Sequence, residues 1–387
     1  MKRIFLPFVF LFTVYTSWAQ TDFLQSGFPD FSPHEFFPGR KSISAGTEYN
    51  FASNAITSKF FTYYYLNRYI NNTLKTDVSD RLDAAGNDFG SEFRTSLFFT
   101  YKTKDTVGKK TLYFAGISNR NFTDAVFTRD AFELYFRGNK SYEGKTAAFD
   151  DFHLRLYQYQ KLTWGTFTSN ANDSSKVLYG YSASLLIGQK LRDIKLSGSI
   201  FTAPSGEYLD VKANGNMHAS DSAHTSLASV NGLGTSVDLF FHYLLNDDCF
   251  LNFSVADFGF MNWNNNSSLV SVDTNYHYEG VNVNDLFNFS DSVFSSSSLT
   301  DSAQAEQFLT DRKKKSYSTI LPARAWLEFV YEWKEEKMFV SLRDEMISSD
   351  AYRNLATAAV GWKGTIAVLS AELSYGGYGN LNAGITA

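Results

Sequence analysis

A two-residue alternation of apolar and polar side chains runs through the chain. In residues 324–333 the odd positions Ala325, Leu327, Phe329, Tyr331 and Trp333 are apolar or aromatic, whereas Arg324, Glu328 and Glu332 sit at even positions. Successive side chains of a strand point to opposite faces, so one face meets an apolar environment and the other carries charge. At 92–102, Phe93, Leu97, Phe99 and Tyr101 oppose Glu92, Arg94, Ser96 and Lys102. At 131–137, Phe132, Leu134 and Phe136 oppose Glu133, Tyr135 and Arg137. At 151–159, Phe152, Leu154 and Leu156 oppose Asp151, His153, Arg155 and Tyr157. At 236–245, Val237, Leu239, Phe241, Tyr243 and Leu245 oppose Asp238 and His242. Weaker strands are predicted at 41–51, 59–66, 111–119, 177–189, 194–202, 250–260, 337–346, 355–362 and 365–375. Some ten such strands, with no run of helices to cover an oily face, predict an all-β chain forming an antiparallel transmembrane β-barrel.

The connections fall into two kinds. Gly188-Gln189-Lys190, Asn246-Asp247-Asp248, Lys334-Glu335-Glu336 and Lys363-Gly364 read as tight polar turns. Residues 71–90, 203–232 and 261–322 read as long polar loops. Short turns at one end and long loops at the other are the usual asymmetry of outer-membrane barrels. The longest excursion, 261–322, holds a short strand-like piece at 276–283. A Ser-rich, helix-compatible segment follows at 285–310, then a basic run at 312–315.

The N-terminus adds an address. Lys2 and Arg3 precede an apolar run at 4–14, and Ser17-Trp18-Ala19 places small residues at a cut after Ala19. This predicts a cleaved signal peptide at 1–19 and a single barrel over 20–387. Cys249 is the only cysteine, so no intramolecular disulfide and no lipid-carrying cysteine after the cut are expected. Without Lys2 and Arg3 the mature chain keeps 33 basic against 40 acidic residues, a balance that gives no footing for nucleic acid. Aromatic residues make up 17% of the chain. The mean hydropathy is −0.24, as expected where hydrophobicity is hidden by alternation. A secreted soluble β-protein has similar averages, and it is the rival placement.

The string Val255-Ala256-Asp257-Phe258-Gly259-Phe260-Met261-Asn262-Trp263 is the most specific local motif. It resembles a strand-closing signature of an uncharacterised outer-membrane barrel family of the Bacteroidota, broadly akin to FadL-type fatty-acid transporters and the PorV-type barrels of type IX secretion. Leu321-Pro322-Ala323-Arg324 and Ser374-Tyr375-Gly376-Gly377-Tyr378-Gly379-Asn380 resemble two further landmarks of that family. The likeness covers the C-terminal third well, and an early Asn-Pro-Ala motif of such barrels is absent. It implies about 14 strands, structural roles for Asp257, Gly259, Trp263 and Pro322, and a chain that continues past Ala387. Physical reasoning meets this last point, because residues 380–387 begin a strand and an open edge cannot sit in lipid. Either an earlier strand closes the barrel or further strands follow. Asp257 falls in the apolar row of Leu251, Phe253 and Val255, so it is expected near the interface, bonded to backbone, or beyond a bulge supplied by Gly259.

Lumen-facing positions are expected for Glu92, Arg94, Glu133, Arg137, Asp151, His153, Arg155, Asp238, His242, Arg324, Glu328 and Glu332. Mixed signs make a salt-bridged, hydrated interior the plainer reading, and a pocket for an amphipathic ligand the functional one. Asp151, His153 and abundant serines are hydrolase ingredients without a nucleophile-elbow pattern, so no enzyme is expected. The six histidines lack metal-ligand spacing, and neither metal nor cofactor is expected. The expected setting is the outer membrane of a Gram-negative cell, with lipid as the surrounding partner. Two roles follow: passive transport of small hydrophobic or amphipathic molecules, or a non-transporting scaffold or shuttle for surface or secreted proteins.

Overall fold

A computed structural model describes residues 41–386, except 85, 104–108, 171–176, 222–225, 227, 280–310 and 365–367. The expected signal peptide and the Ser-rich segment at 285–310 lie outside the described residues. One antiparallel sheet holds all 17 strands found among the described residues. In chain order the first are β1 (Lys41–Ser53), β2 (Asn87–Lys102), β3 (Lys109–Phe127), β4 (Lys145–Ala148), β5 (Phe152–Asn170) and β6 (Val177–Thr202). Then come β7 (Tyr208–Ala219), β8 (Gly232–Leu244), β9 (Cys249–Trp263), β10 (Ser268–Glu279), β11 (Asp311–Lys314) and β12 (Tyr317–Ile320). The last are β13 (Arg324–Trp333), β14 (Met338–Ile347), β15 (Arg353–Lys363), β16 (Val368–Gly377) and β17 (Leu381–Thr386). Among the described residues no helix is long and apolar enough to cross a membrane.

The main run of hydrogen-bonded neighbours is β1–β2–β3–β5–β6–β8–β9–β13–β14–β15–β16–β17. Strand β7 prolongs β8 along the upper half of β6, and β10 prolongs β9 along β7. Strands β11 and β12 prolong β13 along β10 and β9. The sheet is therefore taller on one flank, and its seventeen strands fall into twelve lines plus the short β4. That count replaces the expected 14. The surplus arises because the tall lines are interrupted at a common level. The Gly188-Gln189-Lys190 triplet, expected as a turn, lies inside β6 at a register shift opposite Gln158 and Tyr159. A bulge inserts a residue without ending the strand. The long segments 203–232 and 261–322 likewise contain β7, β10, β11 and β12 rather than loop alone.

Two expected strands are helices. Segment 59–66 falls in α1 (Ser58–Tyr65), capped by Thr57, whose side chain accepts from the Phe60 amide. Segment 131–137 falls in α3 (Arg129–Arg137), capped by Thr128 accepting from the Ala131 amide. In so short a window, Phe132 and Phe136 satisfy alternation and an i,i+4 helical face alike. Leu134, which fits only the alternation, packs apart from them with Ala147 and Ile200. The cap, Asp130 in the first turn and Arg137 in the last decide for the helix. With α2 (Asn72–Ser79), these helices gather Phe60, Leu74, Val78 and Phe132 against Ala55 and Phe127.

The short turns at 245–248 and 334–337 lie at one end of the sheet. The other end carries 54–86 with α1 and α2, 128–151 with α3, and inward turns at 348–352 and 378–380. On the outward face, large apolar side chains stay exposed line after line: Leu97, Phe99, Ile117, Trp164, Tyr181, Leu239, Phe253, Leu327, Leu342, Val360, Leu373 and Ile385 among them. Asp344 interrupts this row between Leu342 and Met346. The opposite face is buried because the sheet curls on itself. Arg324 of β13 reaches Glu92 of β2, six lines away along the run, at 2.7 Å. Near the rim, the Tyr378 ring occupies the space a side chain on Gly90 of β2 would need.

Candidate functional site: a buried ionic layer

Four basic and four acidic side chains meet on the concave face at mid-height. Arg120 of β3, only 2% exposed, donates to Glu92 at 2.7 Å and pairs with Asp257 of β9. Lys161 of β5, 1% exposed, lies 2.8 Å from Asp238 of β8 and 2.9 Å from Asp257. Arg324 closes on the other Glu92 oxygen, and Arg94 pairs with Glu48 of β1 at 2.6 Å. Ser182 donates to Asp238 at 2.6 Å. The set is neutral, so desolvation of each charge is met by a partner of opposite sign. A ring of one sign, as selective pores use, is not what these residues build.

One backbone angle admits Asp257 to this layer. Val237 pairs with Phe258 and Leu239 with Val255, so Asp238 faces two residues, Ala256 and Asp257. Asp257 adopts φ 57°, and its amide donates to Asp238 at 2.8 Å. This bulge turns the carboxylate out of the apolar row and inward. Asp257 itself holds the bulged position that the sequence reading gave to Gly259. Gly259 instead lets the β8 backbone approach, since a Cβ there would strike the carbonyl of Thr235. Trp263 is buried, and its Nε1 donates to Thr319 at 2.9 Å. Pro322 stands in the inward link between β12 and β13, where the flanking Leu321 amide donates to the Gly259 carbonyl at 3.0 Å.

Above the layer an apolar cluster joins Phe122, Tyr157, Tyr159, Leu186, Met261, Leu321, Tyr352 and Tyr378. Arg155 pairs with Asp124 at 2.7 Å, and Asp124 also accepts from Ser349 and Tyr378, tying both inward turns to β3. His153 has Asp193 at 2.9 Å on Nε2 and Asp350 at 2.9 Å on Nδ1. Both ring nitrogens can donate only when the ring carries its second proton. Lys195 lies 3.4 Å from Asp350. Burial alone would raise the Asp350 carboxyl, but Lys195 and His153 outweigh it and hold that carboxyl below its usual range.

Below the layer, inward Phe98, Phe114 and Phe167 each cover a glycine directly across the ladder, Gly116, Gly165 and Gly180 respectively. Phe240 faces Gly180 from the other side. His242, Asn252 and Glu328 form a chain with spacings of 2.7 and 2.9 Å, and Glu332 pairs with Lys363.

Of the residues expected to face a lumen, Glu92, Arg94, His153, Arg155, Asp238, His242, Arg324, Glu328 and Glu332 lie on the concave face. Three do not. Glu133 and Arg137 form an i,i+4 pair at 3.0 Å on α3, outside the sheet, where Arg137 also donates to Thr76 of α2. Asp151 sits exposed in the turn before β5 with φ 54°, which parts it from His153. Sequence reasoning missed Arg120, Lys161 and Asp124 because the strands were drawn too short. The inward parity, extended past Asn119 and Tyr159, would have found all three. Among the described residues no cluster of metal-binding side chains occurs.

A family profile described as "Family of unknown function (DUF5723)" matches residues 28–387. The chain belongs to this family. Among curated proteins, none matches it.

Proposed function

We propose that this chain is an outer-membrane β-barrel of a Gram-negative cell, bridged across its middle, that serves as a surface scaffold rather than an open pore. The observation that carries the reading is the pairing of strands across the concave interior, with an apolar surface outside it. Wide, exposed apolar surface on every line suits lipid and would be a liability in water. Lines one and twelve, β1 and β17, run in opposite directions, so pairing between them would close the sheet. The resemblance of the 255–263 string to Bacteroidota barrels supports the same placement. The tall flank and α1–α3 lie at the long-connection end, where an outer-membrane barrel meets the outside and a partner protein would be held.

The test has two parts. Heat-modifiable gel migration and recovery in the outer-membrane fraction check the placement; a mature chain left soluble after osmotic shock ends the barrel reading. Reconstitution in planar bilayers checks the bridge, with no steady ionic conductance expected.

Passive transport of small hydrophobic or amphipathic molecules is the second reading. The inward aromatic row of Phe98, Phe114, Phe167 and Phe240 favours it, being the kind of lining such ligands use. Vesicle uptake of a fluorescent fatty acid at the same rate with and without the protein would remove it.

A further inference from the structure

Helix α1 lies on the outward face of the sheet. Phe61 stacks on Phe51 of β1 with centroids 4.3 Å apart, and Phe51 belongs to the outward row that continues through exposed Tyr49. Phe60, 1% exposed, packs on Phe132 and Phe136 of α3 at 5.5 and 4.9 Å. Tyr64, one turn on from Phe60, also faces α3, its hydroxyl 3.0 Å from that of Tyr135. Tyr65 and the following Leu66 and Tyr69 turn outward instead, Tyr65 being 75% and Tyr69 86% exposed. Tyr65 extends the Phe51–Phe61 stack, with 6.2 Å between the Phe61 and Tyr65 centroids. Lys59 and Arg68 flank these residues, and Arg68 sits 5.7 Å from the Tyr63 ring. Exposed tyrosines thus continue the apolar wall at the rim, where α1 meets it.

We propose that Tyr65, Leu66 and Tyr69 form a membrane-interface anchor, lying at headgroup level against the bilayer that surrounds the sheet. The inference rests on the barrel reading. Tyrosine has an apolar ring and a polar tip, so it concentrates where acyl chains give way to headgroups. An eight-residue helix is too short to fold on a membrane by itself. The Thr57 cap and the buried Phe60 preform it, so lipid meets a fixed aromatic surface and little ordering entropy opposes the contact. A soluble partner is the weaker occupant, because the same surface runs without a break into side chains assigned to lipid.

Spin labels on the full-length chain, refolded into phosphatidylcholine–phosphatidylglycerol vesicles, test this. The labelled variants are Tyr69→Cys, Leu97→Cys on the wall and Glu335→Cys in a short turn, each with Cys249→Ser. The reading is the ratio of oxygen to nickel-chelate accessibility. Position 69 is expected several-fold above position 335 and below position 97. If 97 reads lipid while 69 matches 335, the anchor is refuted and the barrel stands. A label at 69 shielded from both reagents means that protein covers the helix, which also refutes the anchor. If 97 itself matches 335, the barrel reading fails and takes the anchor with it.

Discussion

At Asp257 a backbone angle of 57° turns a carboxylate from the apolar row to the concave face, where Arg120 and Lys161 receive it. Alternation gave the residue the wrong side, because period two carries no information about where one extra residue enters a strand. It did give Glu92, Arg94, Asp238 and Arg324 their side, because no bulge separates them from their neighbours in the pattern. Arg120→Ala should cost roughly 3–5 kcal/mol, since it leaves Glu92 and Asp257 short of a buried partner. Adding Asp257→Asn, which keeps a residue tolerant of positive φ, should recover part of that loss in urea unfolding from vesicles. Strictly additive losses would mean that the two side chains do not interact. On β13 the outward Phe329 and inward Glu328 make a second test. Phe329→Arg should impair insertion by roughly 2–4 kcal/mol if it lies near the bilayer midplane. Glu328→Gln keeps an acceptor for Asn252 and should insert normally. Cysteines at the two positions check the facing: lipid-phase labelling at 328 with aqueous labelling at 329 would reverse the register.

Elements were legible wherever the alternation was long enough to exclude a helix. Strand β8 could be read from its outward apolar row. The seven residues 131–137 could not, since both periods fit Phe132 and Phe136 and the deciding caps lie at the margins. The glycines of the sheet were silent in sequence because their purpose appears only across the ladder, where Phe98, Phe114 and Phe167 need the space that Gly116, Gly165 and Gly180 leave. Gly180→Ala should therefore destabilise the fold by roughly 1–3 kcal/mol, by pushing a methyl into the Phe167 ring. Phe167→Leu in the same chain should relieve part of this, and purely additive losses would show that the ring and the glycine are not matched. The inward turn at 348–352 gives a test in pH. Because the Asp350 carboxyl is held below its usual range, its contribution to stability is full above the ordinary carboxylate value of about 3.9. That contribution is lost as the pH falls below it. Proteolysis at this turn should rise on that side, and Asp350→Asn should show the same rate at both pH values.

For the whole molecule, the alternation foretold a sheet with one apolar and one polar face, but not how the polar face is filled. Filling depends on which lines lie opposite one another once the sheet curls, a property of twist and line number that no single segment carries. The outcome is a neutral layer spanning the interior, with an aromatic cluster above it and a phenylalanine–glycine row below. Such a layer is costly to desolvate, and it holds only while every member keeps its partner, so it should bridge the interior rather than gate it. The native chain in planar bilayers should therefore give no steady open level. The Arg120→Ala/Asp257→Asn variant removes the side chain that joins Glu92 to Asp257 while keeping the layer's charge balanced. Ion conductance should appear in that variant if the layer is what blocks the path. Steady conductance in the native chain would mean that ions pass around the layer. A silent double variant that is folded and inserted would place the block in the apolar cluster formed with Tyr352 and Tyr378.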